Sequence, residues 1–146
     1  MKENKMPYRE KTAWLMLISI ALTFGPYFAI VLAGYIPEEA MPNLRQLALY
    51  GVVAVARMLI VGVGYLYLRR AFPQEARMPA DERERAIGHR AMSFAYYVLI
   101  AGMIVVGCVM PFTSSGWTIV NAAFFMIVLA EIVDYGVSVL SYRRQA

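Results

Sequence analysis

Residues 13–36 read AWLMLISIALTFGPYFAIVLAGYI, a run from Ala13 to Ile36 without a single charged side chain. At about 1.5 Å of rise per residue a helix of this length exceeds the ~30 Å hydrocarbon core of a bilayer. Three further runs have the same character. Gln46–Leu68 is broken only by Arg57, Ala91–Phe112 carries no charge, and Trp117–Tyr142 is interrupted by Glu131 and Asp134. With 60% hydrophobic and 16% charged residues in 146, too few polar side chains exist to coat a soluble domain. The sequence therefore predicts an all-α integral membrane four-helix bundle, one transmembrane domain over residues 1–146, built as two hairpins.

Prolines mark the first hairpin turn at Pro37 and Pro42, and Pro111-Phe112-Thr113-Ser114-Ser115-Gly116 reads as a tight turn in the second. Residues 69–90 form the only sizeable polar segment. Twelve of the fourteen basic residues lie before the first run, in this segment, or after the fourth run. The opposite side holds Arg45 with Glu38 and Glu39. The bias of Lys and Arg toward cytoplasmic loops puts both termini and residues 69–90 in the cytoplasm of a bacterial inner membrane. On this reading the net charge of +4 reflects orientation and contact with the lipid bilayer, not binding of nucleic acid. Trp14, Tyr35, Tyr50, Tyr65, Tyr67, Trp117 and Tyr142 are expected near the interfaces. A cleaved secretory signal is the rival reading of the first run, with Val31-Leu32-Ala33 as its cleavage site, but the apolar stretch exceeds an ordinary signal core.

Arg57, Glu131 and Asp134 are costly within a bilayer, so each is expected inside the bundle with a partner. Arg57 lies twelve residues before Arg69, and Glu131 twelve before Arg143. Both therefore sit about 18 Å from their basic anchors and at one level. A planar guanidinium suits a carboxylate, which predicts an Arg57–Glu131 pair between the second and fourth spans. Asp134 shares a face with Glu131 and is left over. It can be neutralised by a proton, share Arg57, or hold a proton or cation in a transport cycle.

Ala21, Gly25, Ala29 and Ala33 recur every fourth residue, a stripe that admits a close helix neighbour. The bundle itself, a second copy of the chain, or another membrane protein are the partners left open. Pro26 predicts a kink or a loosened turn nearby. Shifted by 74 residues, the chain matches itself at Pro37/Pro111, Ala56/Ala130, Gly62-Val63/Gly136-Val137, Leu66/Leu140 and Arg69-Arg70/Arg143-Arg144. A weak tandem repeat of this kind places Arg57 opposite Glu131.

Asp81 and Glu84 stand at the two positions of a capping box, predicting a helix that runs from here into the third span, with Arg85 placed to pair with Asp81. Asp81, Glu82, Arg83, Ile87 and Ala91 form D-E-R-x-x-x-I-x-x-x-A. The pattern resembles one in small prokaryotic multi-pass membrane proteins of unknown function. That resemblance implies neighbours among helix-turn-helix regulators and a likeness, in some members, to peptide-toxin immunity proteins. It implies no catalytic residue.

No phosphate loop, metalloprotease motif or nucleophile elbow occurs in the sequence. His89 is the single histidine and Cys108, expected to be buried and inert, the single cysteine. A haem or metal centre within one chain lacks its ligand set, so neither cofactor nor metal is expected. The expected function is that of a non-enzymatic accessory, sensory or immunity component. The alternative is a small proton- or ion-coupled transporter or channel using Glu131 and Asp134.

Overall fold

The computed structural model describes residues 6–37, 39–40 and 42–144. Lys2, Lys5 and Glu38, counted above in the charge balance, lie outside the described residues. Five helices form: α1 (Tyr8–Leu32), α2 (Leu44–Ala71), α3 (Pro73–Arg77), α4 (Glu82–Ile104) and α5 (Gly116–Arg144). After Ile104 the chain continues through a π-helical turn, Val105–Val109, and a 3-10 turn, Met110–Phe112. Four of these segments are long and apolar enough to cross a membrane. The protein is a membrane-embedded all-α bundle.

Each helix begins and ends where its local chemistry allows. Asn43 caps α2, its side chain accepting from the Gln46 amide at 3.2 Å. Arg69 and Arg70 close the same helix, where cations complement the carbonyl end of the helix dipole. Pro73 opens α3, since its missing N–H is not needed in a first turn. The Asp81 carboxylate accepts from the Glu84 amide at 2.6 Å and the Glu84 carboxylate faces the Asp81 amide at 3.4 Å, so the expected capping box is present. Arg85 departs from expectation: it donates to the Ala80 carbonyl at 3.2 Å.

The first span ends earlier than the apolar run does. α1 stops at Leu32 because Gly34 turns the chain with φ of 70°, a left-handed conformation that glycine adopts without steric cost. Residues 33–36 are thus turn, and Ile36 is not in the helix. At the other end charged residues extend the spans: α1 begins at Tyr8, α2 reaches Ala71 and α4 starts at Glu82. α1 runs through Pro26 as a single helix.

Packing follows the order α2, α1, α5, α4, each helix lying against the next. Between α4 and α5 the approach is close enough that a side chain at Gly102 would strike Met126. The core is small, with Ile20, Phe24, Tyr27 and Val128 at its centre and Leu49, Tyr50, Val53 and Tyr135 around it. α2 buries only Gln46 and leaves Val52, Val55, Leu59, Val63 and Leu66 uncovered. In lipid such exposure costs nothing, because acyl chains are as apolar as leucine.

This packing narrows one open sequence expectation and corrects another. Ala21, Gly25, Ala29 and Ala33 all lie on the exposed side of α1, so the stripe does not serve the bundle interior. Tyr50 turns its ring into the bundle, stacking on Phe124 with centroids 4.2 Å apart. Cys108 is exposed, because the π-helical turn carries it to the outer surface.

Candidate functional site

Arg57 projects from the middle of α2 toward α5, and its guanidinium donates to the Glu131 carboxylate. The pair is shielded unequally, with side-chain exposures of 18% for Arg57 and 34% for Glu131. The ring of Phe24 on α1 lies 5.4 Å from the guanidinium, so the cation is held by an anion and an aromatic face together. The helical register that set Arg57 and Glu131 level is thereby realised in contact. Spans two and four are nevertheless not closely packed side by side: long side chains join them, and α1 is the helix that packs against both.

Asp134 stands one turn along α5, beside Glu131 and half-buried. Among the described residues no hydrogen bond or ion pair reaches its carboxylate. The spacing of three residues that puts both acids on one face also leaves Arg57 able to serve only the nearer one.

Toward the loops that join α1 to α2 and the 3-10 turn to α5, a neutral ladder continues the same faces. Tyr27, 1% exposed, donates its hydroxyl to Asn121 Oδ1 at 2.8 Å, and Asn121 Nδ2 donates to Gln46 Oε1 at 3.0 Å. Three helices are tied by these two bonds. Beside the ladder an apolar recess of about 570 Å³ opens between α1 and α5, with Gln46, Thr118 and Asn121 as its polar lining. Sequence reading passed over Gln46 and Asn121. Their signal was an amide side chain just inside each otherwise apolar run.

At the end that carries both termini, ion pairs fasten α1 to its neighbours. Arg9 Nε donates to Glu84 at 2.9 Å, Lys11 lies 3.6 Å from Glu75, and Arg143 lies 3.5 Å from the buried Glu10. Lys11 also sits 3.4 Å from the centroid of the Phe72 ring. Glu84 is also the capping-box acid read from the sequence; Glu10 and Glu75 were not singled out there, being interspersed among the basic residues that carry the orientation signal.

Of the D-E-R-x-x-x-I-x-x-x-A residues, Ile87 and Ala91 are buried, at 4% and 0% exposure, while Asp81 caps the helix and Glu82 is exposed. The motif's spacing of four puts its two apolar members on the face of α4 that meets the bundle. His89 is exposed on the opposite side. Among the described residues no group of three His, Cys, Asp or Glu side chains is arranged to hold a metal.

No protein-family model, curated protein or solved structure matches this chain. The functional reading therefore rests on the geometry.

Below the charge cluster, at the termini end, a cavity of about 340 Å³ opens between α1, α2, α4 and α5. Tyr135 and Ser138 of α5 line it, and both lie on the α5 face that carries Glu131. The hydrogen-bonded ladder, the charge cluster and this cavity are thus three separate polar groups along the bundle, with the apolar core of Ile20, Phe24 and Val128 beside Tyr27.

Proposed function

We infer that this protein is a non-enzymatic component of a bacterial inner membrane, with both termini cytoplasmic, serving an accessory, sensory or immunity role. The observation that carries the reading is the state of Arg57. Clamped between the Phe24 ring and Glu131, it fastens α2 to the rest of the bundle. A charge used as a fastener is a fixed element of architecture. The D-E-R-x-x-x-I-x-x-x-A pattern supports the same reading, because Ile87 and Ala91 join the segment before the third span to the bundle core, linking events at the membrane surface to the spans. The outward stripe of Ala21, Gly25, Ala29 and Ala33 offers a face to a second copy or to another membrane protein.

A second reading draws on Asp134. A half-buried carboxylate without a hydrogen-bond or ion-pair partner among the described residues is what proton- or ion-coupled transport requires. Proteoliposomes loaded with a pH-sensitive dye separate the two. The accessory reading expects proton and cation leak equal to that of protein-free vesicles, unchanged by Asp134→Asn. Flux through the wild-type protein that Asp134→Asn abolishes, with the bundle still folded, overturns it in favour of transport.

A further inference from the structure

We propose that the recess between α1 and α5 holds one acyl chain of a membrane glycerolipid, whose ester carbonyl accepts a hydrogen bond from Gln46. The neutral ladder beside the recess has a direction. Tyr27 donates to Asn121 Oδ1, which leaves Asn121 Nδ2 to donate to Gln46 Oε1. Gln46 therefore ends the ladder with Nε2, and among the described residues nothing accepts from that atom. The residue is 3% exposed, and a donor withdrawn from water without an acceptor is expensive. Nε2 is not sealed off, however. The fully enclosed, unpaired side-chain atoms among the described residues are Tyr8 Oη, Trp14 Nε1 and Trp117 Nε1. The open space that Gln46 borders is this recess.

Shape and depth select the occupant. No charged side chain stands in the lining among the described residues, so an ion gains nothing there and an apolar body fits. Along α5 the recess runs from Thr118 to Phe125, about 10 Å of helix, in the direction of the surrounding acyl chains. Phe28 and Phe125 meet edge-on at its deeper end, with ring centroids 5.3 Å apart. Gln46 lies in the first turn of α2, where the hydrocarbon core gives way to the headgroup region. A glycerolipid carries its ester carbonyls at that boundary and its chains below it. The volume of about 570 Å³ lies in the range that encloses a small ligand. This site goes beyond the accessory reading and does not depend on it.

The test is native mass spectrometry of the full chain in detergent, titrated with a diacyl phosphatidylethanolamine and its dialkyl ether counterpart of equal chain length. One diacyl lipid per chain is expected to bind, with the ether lipid roughly fivefold weaker, the worth of one hydrogen bond. Gln46→Met removes the donor, so the diacyl lipid should weaken by the same factor and the difference between the lipids should vanish. Tyr27→Phe cuts the ladder but leaves Nε2 in place, and should keep the difference. Ala122→Phe fills the recess and should expel both lipids. Circular dichroism and melting confirm that each variant is folded. Equal affinity of the wild-type protein for the two lipids overturns the proposal without any variant. So does an ester–ether difference that survives Gln46→Met or is lost in Tyr27→Phe, or lipid retention undiminished by Ala122→Phe. A short-tailed benzoquinone that displaces the diacyl lipid at equal concentration overturns the choice of occupant in favour of a quinone.

Discussion

At the loop end of the bundle, Tyr27, Asn121 and Gln46 tie three helices with neutral hydrogen bonds, whereas at the termini end Arg9, Lys11 and Arg143 tie α1 to α4, α3 and α5 through charge. The solvent on each side accounts for the choice. Within the spans an unpaired charge is costly, so amides and a phenol do the joining and satisfy each other. Near the surface, water and counterions lower the cost of charge, and the ion pairs there set geometry more than they add stability. Arg57 and Glu131 are the exception that connects the ends. They carry charge into the apolar zone as a pair.

The largest expected effect comes from breaking that exception. Arg57→Leu leaves Glu131 without its cation and should destabilise the fold by ~3–5 kcal/mol. Arg57→Leu combined with Glu131→Leu should recover most of the loss, read by unfolding in mixed micelles. A double variant no better than the single one would show that the pair is not what fastens α2. Next in size is the neutral ladder. Tyr27→Phe strips the donor from Asn121 and should cost about 0.6 kcal/mol, the average for bonds between membrane helices, and at most ~1.7 kcal/mol, with little dependence on salt. Asp81→Ala removes the capping carboxylate of α4 and should cost about 1 kcal/mol, visible as earlier amide exchange over the first turns of that helix. Smallest is Arg9→Gln at the termini end. Its pair with Glu84 has side-chain exposures of 44% and 24%, so the expected loss is at most ~1 kcal/mol and vanishes at high salt. A salt-sensitive Tyr27→Phe or a salt-insensitive Arg9→Gln would collapse the contrast between the two ends.

Much of the architecture was legible because lipid imposes long uniform runs. The four spans, the capping box at Asp81 and the Arg57–Glu131 contact all follow from helical rise and charge placement along the chain. Helix ends were less legible. Ile36 continues the apolar run, yet the chain had already turned at Gly34, since a turn depends on one backbone torsion that hydropathy does not encode. The stripe of Ala21, Gly25, Ala29 and Ala33 identifies a face but not the direction it looks, and it looks outward. The partner of Tyr50 was hidden for a related reason: a tyrosine near a span end carries no mark of the ring it will meet, and here that ring is Phe124. The cavity at the termini end was invisible because its walls come from segments far apart in sequence.

The shift of 74 residues gains support of a limited kind from the contacts. Arg57 meets Glu131 and Tyr50 meets Phe124, both at that separation. Corresponding positions of two related hairpins come together when the halves face each other about an axis along the membrane normal.

The separation between Arg57 and its partner also has a consequence in time. Glu131 follows Arg57 by 74 positions, which at ~5–20 residues per second is a delay of roughly 4 to 15 s during synthesis. Throughout that interval the guanidinium has no counter-ion, and holding it at mid-bilayer costs about 2.5–3.5 kcal/mol on insertion scales. The second helix is thus a hesitant insertion whose commitment waits for the ribosome to deliver the last.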